Sequence, residues 1–383
     1  MRTYDVAVVG LGAMGSAALY HLARAGRRAI GFEQASPGHE GGSSHGESRM
    51  IRLAQFENPA YTPLVRRAWA LWLALAAEGG EEVLIRTGLL ETGAPGAPWL
   101  EGSLRAAREH DLPHEVLTAA EANRRFPAFT LPEGFVAAYQ ADAGIVRADA
   151  AVRLHVAGAR AAGAEVAMPS RVVAVEPRNG GVEIVLADGE RIAATAAVIT
   201  AGPWIADLVP ELAPHLTLTR QVLAWFQPAR PADAAVDRMP SFAIETPDDA
   251  VYGFPDFAGL GVKAGSHRHG QVLAHARDAR QDAGADDARP IGEALARLVP
   301  AAAGPLRFMK TCIYANTPDE EFVIDRAPGA PEIAFASACS GHGFKFASAF
   351  GELLAQMALA ETPRELAAFS LSRFSRASAK QAP

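Results

Sequence analysis

The hydrophobic positions near the N-terminus change periodicity twice within thirty residues. Residues 5–9 form a short apolar run before a glycine, which is typical of a buried parallel strand. Residues 14–25 follow with helical spacing, and Gly26 is placed to end that helix. Residues 28–33 form a second apolar run that ends in Glu33. The order strand, glycine turn, helix, strand predicts one βαβ unit.

The next part of the chain alternates between a polar stretch and helical patterns. Residues 38–52 are rich in Gly, Ser and His, so we expect a long irregular loop. The spacing predicts an amphipathic helix over 61–77 and an alanine-rich helix over 147–163. Two further helices are predicted near 291–300 and 346–359.

Strand patterns return in the second half of the chain. Residues 171–177 and 181–187 alternate apolar and polar positions around an Asn-Gly-Gly turn, which predicts a hairpin. Residues 196–200 and 332–337 are short apolar runs typical of buried strands. Residues 220–320 contain many short strand-like runs, which favours a sheet of mostly antiparallel strands.

Because the Rossmann-type strands lie at the start, middle and end of the chain, we expect two interleaved domains in an α/β fold. The cofactor domain is predicted to use residues 1–84, 145–219 and 321–383. The second domain, of α+β type with a mostly antiparallel sheet, is predicted to use 85–144 and 220–320.

Composition narrows the function classes. With 383 residues and 49% hydrophobic residues, the chain is long enough for two cores. The net charge of −7 argues against a nucleic-acid partner, since phosphate binding needs a basic face. The apolar stretch 68–77 is too short to span a membrane, and the N-terminus has no secretory pattern. We therefore expect a cytoplasmic protein whose two cysteines, Cys312 and Cys339, are free.

The glycine turn carries the first candidate chemistry. Gly10-Leu11-Gly12-Ala13-Met14-Gly15 matches G-x-G-x-x-G between a strand and a helix, which is the context that dinucleotide binding requires. Gly10 would allow the tight turn, Gly12 the approach of a pyrophosphate, and Gly15 the close packing of helix on strand. Glu33 lies 18 residues past Gly15, where a carboxylate binds ribose hydroxyls and repels a 2′-phosphate. NADP is thereby excluded, and NAD and FAD remain.

Two later turns favour FAD, which is long and needs contacts from distant segments. Ala201-Gly202 follows the predicted strand 196–200, and Ser340-Gly341-His342-Gly343 precedes the C-terminal helix. Each would bring a further backbone turn or helix N-terminus to the ligand.

Several longer blocks carry a more specific signal. They are Gly42-Ser43-Ser44-His45-Gly46-Glu47-Ser48-Arg49 with Ile51-Arg52, Tyr252-Gly253-Phe254-Pro255, Gly261-Val262-Lys263, Lys310-Thr311-Cys312-Ile313-Tyr314, Thr317 to Asp325, and Ser340 to Phe346. In this order, over nearly the whole chain, they resemble the monomeric sarcosine oxidase and N-methyltryptophan oxidase family. Members of that family are FAD-dependent amine oxidoreductases of the D-amino acid oxidase type.

The resemblance implies that FAD is bound covalently, as an 8α-S-cysteinyl link on Cys312, with Lys310 nearby to favour the thiolate. Cys339 matches no such position and is expected to be a small core residue. The cofactor-binding residues implied by the motifs are Gly10, Gly12, Ala13, Met14, Gly15, Glu33, Gln34, Ser43, Ser44, Arg49, Val172, Ala201, Gly202, Trp204, Cys312, Gly341, Gly343, Phe344 and Lys345.

The same resemblance implies a substrate site. Arg52 and Lys345 match a pair of cations that holds the substrate carboxylate. Tyr252 and Tyr314 would line the pocket. Ala243 stands where the sarcosine enzymes have a bulky methionine, which leaves room for a larger substrate.

Five residues are implied in catalysis around the flavin: Lys263, Arg49, His45, His267 and Tyr314. Lys263 matches the lysine that stabilises superoxide as it forms from O2. Arg49 would lie against the ring on the face opposite the substrate, and His45 would help to position the flavin. His267 matches a substrate-side histidine that tunes the amine's proton affinity or only forms a polar wall.

The expected activity is the oxidation of a small secondary amino acid, such as sarcosine or another N-methyl amino acid, to an imine with reduction of O2 to hydrogen peroxide. The loop 53–58 departs from the family pattern and leaves the substrate open. N-methyltryptophan, pipecolate, an iminodicarboxylate and a D-amino acid are alternatives. Others are a dehydrogenase that uses an electron carrier, a flavin-binding subunit without catalysis, and an NAD-dependent dehydrogenase. We expect a monomer without a metal site.

Overall fold

The computed structural model describes residues 3–248, 250–267, 270–279 and 283–375. The first two and the last eight residues of the predicted cofactor domain lie outside the described residues, as do six residues of the predicted second domain.

The structure consists of strands and helices in a mixed order. The strands are β1 (Thr3–Val9), β2 (Ala29–Phe32), β3 (Ser48–Arg52), β4 (Leu84–Arg86), β5 (Leu89–Gly93), β6 (Glu115–Thr118), β7 (Val136–Gln140), β8 (Ala143–Arg147), β9 (Glu165–Ala167), β10 (Val172–Arg178), β11 (Gly181–Leu186), β12 (Arg191–Ile199), β13 (Thr217–Phe226), β14 (Ser241–Glu245), β15 (Ala250–Phe254), β16 (Val262–Ser266), β17 (Gln271–Leu273), β18 (Leu306–Asn316), β19 (Val323–Ala327) and β20 (Ala330–Ser337). The α-helices are α1 (Ala13–Arg24), α2 (Thr62–Gly79), α3 (Pro98–Glu109), α4 (Ala119–Arg125), α5 (Ala148–Ala161), α6 (Ile205–Leu208), α7 (Ala285–Leu298) and α8 (Ala347–Ala358). Short 3-10 helices cover Pro59–Tyr61, Gly202–Trp204, Pro210–His215, Ala276–Asp278, Gly343–Phe346 and Arg364–Phe369.

The first sheet has the order β10-β11-β12-β1-β2-β9, with β20 beside β12 and β19 beside β20. Strand β1 runs parallel to β2 and β12, and β12 runs parallel to β20. The predicted βαβ unit and the predicted hairpin are confirmed as β1-α1-β2 and β10-β11. Gly26 ends α1 with a left-handed φ of 71°, as expected.

The second sheet has the order β17-β13-β16-β15-β14-β5-β7-β6, with β18 beside β13. Its pairs are antiparallel except that β5 and β14 run parallel. The expected mostly antiparallel sheet is therefore confirmed. The domain ranges themselves stay a prediction.

The prediction of an irregular segment over 38–52 is wrong for its last five residues. Residues 48–52 form β3, which pairs antiparallel with β8 and with it forms a small sheet that includes β4. The partner strand lies far away in sequence, so local composition could not reveal the pairing. This strand fixes the positions of Arg49 and Arg52. Their side chains project to opposite faces of the strand because the two residues are three positions apart.

Helices α1 and α8 pack closely on each other beside the first sheet. Helix α8 crosses α1 at Gly351, where a Cβ atom would lie 2.3 Å from the Cβ of Ala17. The carboxyl ends of β1, β12 and β20 meet at one edge of the sheet, where ligands of open α/β folds bind. Among the described residues, no helix combines the length and the apolar character that crossing a membrane requires.

Candidate active site

A cavity of about 710 Å³ gathers nearly all of the predicted site residues. Those that line it are Gly10, Gly12, Ala13, Met14, Glu33, Gln34, Ser43, Ser44, Arg49, Arg52, Val172, Ala201, Gly202, Trp204, Ala243, Tyr252, Lys263, His267, Cys312, Tyr314, Gly341, Gly343, Phe344 and Lys345. Gly15 and His45 are buried and do not line it. The structure therefore does not support contact of Gly15 or His45 with a ligand in the cavity. These two residues would act on the shape of the site only through packing.

The glycine motif forms a tight backbone cradle at one end of this cavity. Gly10 has a φ of 86°, and a Cβ atom there would lie 2.6 Å from the carbonyl oxygen of Thr200. A Cβ atom on Gly15 would lie 1.9 Å from the carbonyl oxygen of Gly10. These positions need glycine for the reasons that the sequence indicates. The backbone N–H of Ala13, at the start of α1, donates to Ser44 Oγ at 3.0 Å.

Glu33 follows β2 directly and lies beside the cradle. Its Oε2 accepts a hydrogen bond from the N–H of Leu11 at 3.0 Å, and its Oε1 accepts one from the N–H of Ala35 at 3.1 Å. These two bonds fix the carboxylate at the cavity wall. Each oxygen keeps a further lone pair, which suits a ribose hydroxyl.

Strand β18 presents three predicted residues in a row: Lys310, Cys312 and Tyr314. Their side chains lie on the same face because they are two positions apart. Cys312 is buried, and its sulfur lies 3.8 Å from Arg49 Nη2 and 3.8 Å from the carbonyl oxygen of Ser43. Lys310 lies 2.8 Å from Glu40 Oε1. Both Cys312 and Cys339 are free thiols, as expected, and burial raises the pKa of Cys339.

Lys263 projects from β16 into the same region and is almost completely buried. Its ammonium donates to the carbonyl oxygens of Gly46 and Ser48 at 2.7 and 2.6 Å. Burial, aided by the charge of Arg49, lowers the pKa of Lys263 well below its usual value. An anion placed beside Lys263 would raise that pKa again and would be stabilised in return.

Arg49 and Lys263 both bind backbone carbonyl groups of residues 43–48, the segment that also contains His45. Arg49 donates from Nη1 to the carbonyl oxygen of Ser48 at 2.9 Å and from Nη2 to that of Ser43 at 3.1 Å. Burial lowers the pKa of His45 to about 3, and the charges of Arg49 and Lys263 add to the effect. Within the described residues, neither ring nitrogen of His45 has a hydrogen-bond partner. The imidazole is therefore neutral at physiological pH.

Arg52 and Lys345 meet at one carboxylate, that of Glu57. Arg52 Nη2 lies 2.7 Å from Glu57 Oε2, and Lys345 Nζ lies 3.2 Å from Glu57 Oε1. Lys345 also donates to the carbonyl oxygen of His342 at 2.8 Å. The guanidinium carbon of Arg52 lies 4.3 Å from the ring centroid of Phe56. Two cations brought to one carboxylate form a site that can bind a carboxylate ligand.

Aromatic rings form the wall beside this cation pair. Phe56 stacks on Trp99 with centroids 5.0 Å apart, and Trp99 meets His267 edge-on at 5.4 Å. Tyr252 and Tyr314 share a side-chain hydrogen bond, and burial raises the pKa of both hydroxyls. Ala243 lies opposite Tyr252 on the neighbouring strand, so its methyl group leaves space in the wall.

Residues of the site that the sequence analysis missed include Phe56, Glu57, Trp99 and His342. Glu57 belongs to the loop that departs from the family pattern. The one local signal for an ion pair with Arg52 was that the two residues are only five positions apart. His342 stands inside the quoted glycine turn, and its Nδ1 lies 3.5 Å from Glu57. Trp99 comes from α3 in a segment rich in Pro and Gly, where no local pattern indicates a site.

The residues present fit an extended dinucleotide with a ring system. The glycine cradle admits a pyrophosphate, Glu33 suits a ribose, and the cavity continues past Cys312 to the cation pair. The described residues that would hold the ring are Arg49, Lys263 and Cys312.

Comparisons with known proteins agree with this interpretation. The family model described as "FAD dependent oxidoreductase" (DAO) matches residues 5–357. The chain is 36% identical over 375 residues to N-methyl-L-tryptophan oxidase of Yersinia pestis (strain Pestoides F), covering 97% of this chain and 99% of that protein. The fold is similar to NikD, an unusual amino acid oxidase (TM-score 0.84, 23% identity, 96% and 98% of the chains), and to glycine oxidase from Geobacillus kaustophilus (0.81, 22%, 97% and 99%). The chain therefore belongs to the DAO family of FAD-dependent oxidoreductases.

Proposed function

We propose that the protein oxidises the CH–NH bond of an N-methyl amino acid and passes the electrons to O2. The observation that carries the proposal is the convergence of Arg52 and Lys345 on one carboxylate, at 2.7 and 3.2 Å. The same cavity is lined by Arg49, Lys263 and Cys312. A carboxylate-binding site in one cavity with a flavin site suits an amino-acid substrate, because it fixes the reacting carbon relative to the ring.

In this proposal, the substrate carboxylate takes the place of Glu57 between the two cations. Arg52 supplies a planar fork and Lys345 a point charge, which together fix the orientation of the amino acid. The amine must bind as the neutral species, because a protonated nitrogen has no lone pair to support the loss of hydride. The positive charges and the exclusion of water both lower the pKa of that amine.

Bound FAD would supply the two-electron chemistry: the N-methyl carbon would lose a hydride equivalent and the amine nitrogen its proton, and these two electrons and two protons would reduce O2 to hydrogen peroxide. Water then hydrolyses the imine product to formaldehyde and the primary amino acid. Lys263 stabilises the negative charge that develops on oxygen, since its ammonium is held by two carbonyl groups in a site with little water.

We further propose that the sulfur of Cys312 attaches to the 8α carbon of FAD. Its burial on the cavity wall, 3.8 Å from Arg49, supports the proposal. The sulfur would replace one hydrogen of the 8α methyl group, and the proton of the thiol, the proton of the methyl group and the two electrons released would reduce O2 to hydrogen peroxide. The attachment prevents loss of FAD and withdraws electron density from the ring.

The size of the substrate is proposed from the aromatic wall. Ala243 presents a methyl group where a longer side chain would fill the space beside Tyr252, and Phe56 and Trp99 offer ring faces. An N-methyl amino acid with a large apolar side chain fits this wall better than sarcosine. The relative that acts on N-methyl-L-tryptophan, at 36% identity, supports the same choice.

A panel of amines with peroxide detection tests the proposal. N-methyl-L-tryptophan, sarcosine, pipecolate, iminodiacetate and D-alanine are compared by kcat/KM at equal O2 concentration. We expect the N-methyl amino acids to give peroxide and formaldehyde together. Flavin reduction by these amines without peroxide would identify a dehydrogenase that uses a carrier.

A matched pair of arginine variants tests the carboxylate site. Arg52→Met is expected to reduce kcat/KM by on the order of 10²–10³, because both the charge and the orientation of the substrate are lost. Arg67→Met removes an arginine that pairs with Glu352 outside the cavity and is expected to retain activity. Equal activity of the two variants would overturn the proposed carboxylate clamp, which Arg52 and Lys345 form.

A further inference from the structure

Glu91 is a second carboxylate on Arg52, at a place that the substrate cannot reach. It lies in β5, is completely buried, and does not line the cavity. Its Oε1 lies 3.3 Å from Arg52 Nε, and its Oε2 accepts a hydrogen bond from Gln140 Nε2 at 3.0 Å. Arg52 is therefore held between two anions, Glu91 on its Nε side and Glu57 on its Nη2 side.

Sheet register explains why Glu91 faces the site. Glu91 is in register with Ala243 on β14, and Ala243 is in register with Tyr252 on β15. Residues in register on neighbouring strands project to the same face. A glutamate thus stands in the row that forms the wall of the pocket, one strand beyond Ala243.

The two carboxylates differ in how freely they can be replaced. Glu57 lies in the connection between β3 and the 3-10 helix Pro59–Tyr61, and it lines the cavity. Glu91 is fixed within a sheet by strands on both sides. An incoming ligand carboxylate can displace Glu57, but Glu91 stays beside Arg52 in every state.

The net charge of Arg52, Lys345 and Glu91 restricts how many carboxylate groups a ligand can carry. Arg52 and Lys345 bring two positive charges, and Glu91 balances one of them when it is ionised. We infer that Glu91 is a positioning residue that orients Arg52 and leaves the clamp with charge for a single carboxylate, so that the enzyme selects monocarboxylic over dicarboxylic amines. The inference rests on the proposed function, since it assumes that the clamp binds the substrate carboxylate.

The protonation of Glu91 gives the inference a pH dependence. Burial raises the pKa of Glu91 to about 7, while the charge of Arg52 opposes that shift. The charged groups that act on it from the surrounding elements are Arg52, Glu57 and Lys345. As the pH falls through about 7, Glu91 gains a proton, the clamp gains net positive charge, and the discrimination against dicarboxylates weakens.

Calorimetric titration of the flavin-loaded enzyme with propionate and malonate tests this inference. The two probes have similar size and differ by one carboxylate. In Glu91→Gln, the amide keeps the size of the side chain but loses the charge. At about pH 7.5 we expect the variant to improve malonate affinity about tenfold more than propionate affinity. An unchanged ratio of the two affinities would overturn the role of Glu91.

The pH dependence of the wild-type enzyme supplies a second measurement. Between about pH 7.5 and 6.5, the ratio of malonate to propionate affinity is expected to rise severalfold, because Glu91 becomes neutral. In Glu91→Gln this rise should be missing, whereas Glu352→Gln, which removes a carboxylate paired with Arg67 outside the cavity, should keep it. A flat ratio in the wild type contradicts the inference.

The failure of the inference is distinguishable from that of the proposed function. Propionate could bind the wild type and compete with the amine while the ratio of malonate to propionate affinity is the same in the wild type and in Glu91→Gln. In that case only the role of Glu91 is overturned. If propionate does not bind the wild type at all, the carboxylate clamp itself is overturned, and the inference falls with it.

Discussion

Arg52 holds the carboxylate of Glu57, with Nη2 2.7 Å from Oε2. Although burial by itself raises the pKa of Glu57, the charges of Arg52 and Lys345 outweigh it and keep that pKa well below its usual range. Glu57 is therefore ionised throughout the physiological range. An internal anion occupies the place proposed for the substrate carboxylate, so ligand binding must displace it.

The first prediction concerns this competition. Glu57→Gln removes the internal anion while keeping the size of the side chain, so propionate should bind about tenfold more tightly. Calorimetry of the flavin-loaded enzyme measures the affinity. Glu78→Gln, which removes a carboxylate paired with Arg24 outside the cavity, is the control and should bind propionate like the wild type. Weaker or unchanged binding in Glu57→Gln would show that the ligand does not take the place of Glu57.

The second prediction concerns the titration of Lys345. Burial lowers its pKa to about 8, Glu57 opposes the shift, and Arg52 adds to it. The ammonium charge is present below about pH 8 and is lost as the pH rises through that value. Carboxylate affinity should therefore fall by up to about tenfold per pH unit as the pH rises above this pKa.

Propionate titrations on either side of that pKa measure the effect. Lys345→Met should bind propionate weakly at every pH and should lose the decline on the alkaline side. A wild-type affinity that stays level well above the pKa would contradict the assignment of Lys345 to the clamp.

The third prediction separates the two half-reactions. Lys263→Met should slow the reaction of reduced flavin with O2 by on the order of 10²–10³, because the developing anion loses its neighbouring cation. Anaerobic reduction by the amine should change much less. Stopped-flow absorbance resolves the two steps. Arg307→Met, which removes an exposed cation from β18, is the control, and an equal effect on both half-reactions in Lys263→Met would argue against the oxygen role.

The fourth prediction concerns the attachment of FAD. After acid precipitation, flavin should stay with the wild-type chain and with Cys339→Ala. In Cys312→Ala it should be extracted into the supernatant, because the sulfur that forms the bond is gone. Absorbance of the redissolved pellet and of the supernatant measures both fractions. Extractable flavin in the wild type, or retention in Cys312→Ala, would overturn the proposed link.

Much of the cofactor site was predictable because its signals are local. The βαβ unit over β1, α1 and β2 follows from apolar periodicity, and Gly10 and Gly15 are glycines for steric reasons that act within a few residues. The resemblance over the longer blocks then identified Arg49, Lys263 and Cys312, which the structure places on one cavity.

Other features depended on contacts between distant segments. Residues 48–52 form a strand only because β8 lies beside them, and that pairing carries no local pattern. Trp99 reaches the aromatic wall from α3, in a segment whose composition suggested no site.

The sequence by itself determined the βαβ unit, the dinucleotide motif and the order of the cofactor blocks, because periodicity and short spacing act through neighbouring residues. Only the tertiary structure decided the charge of the clamp. Glu57 and Glu91 reach Arg52 from a loop and from a separate sheet. Burial raises the pKa of both carboxyl groups, and the charges of Arg52 and Lys345 outweigh burial at Glu57 but not at Glu91. Electrostatic balance depends on distance and solvent access, which exist only once the chain has folded.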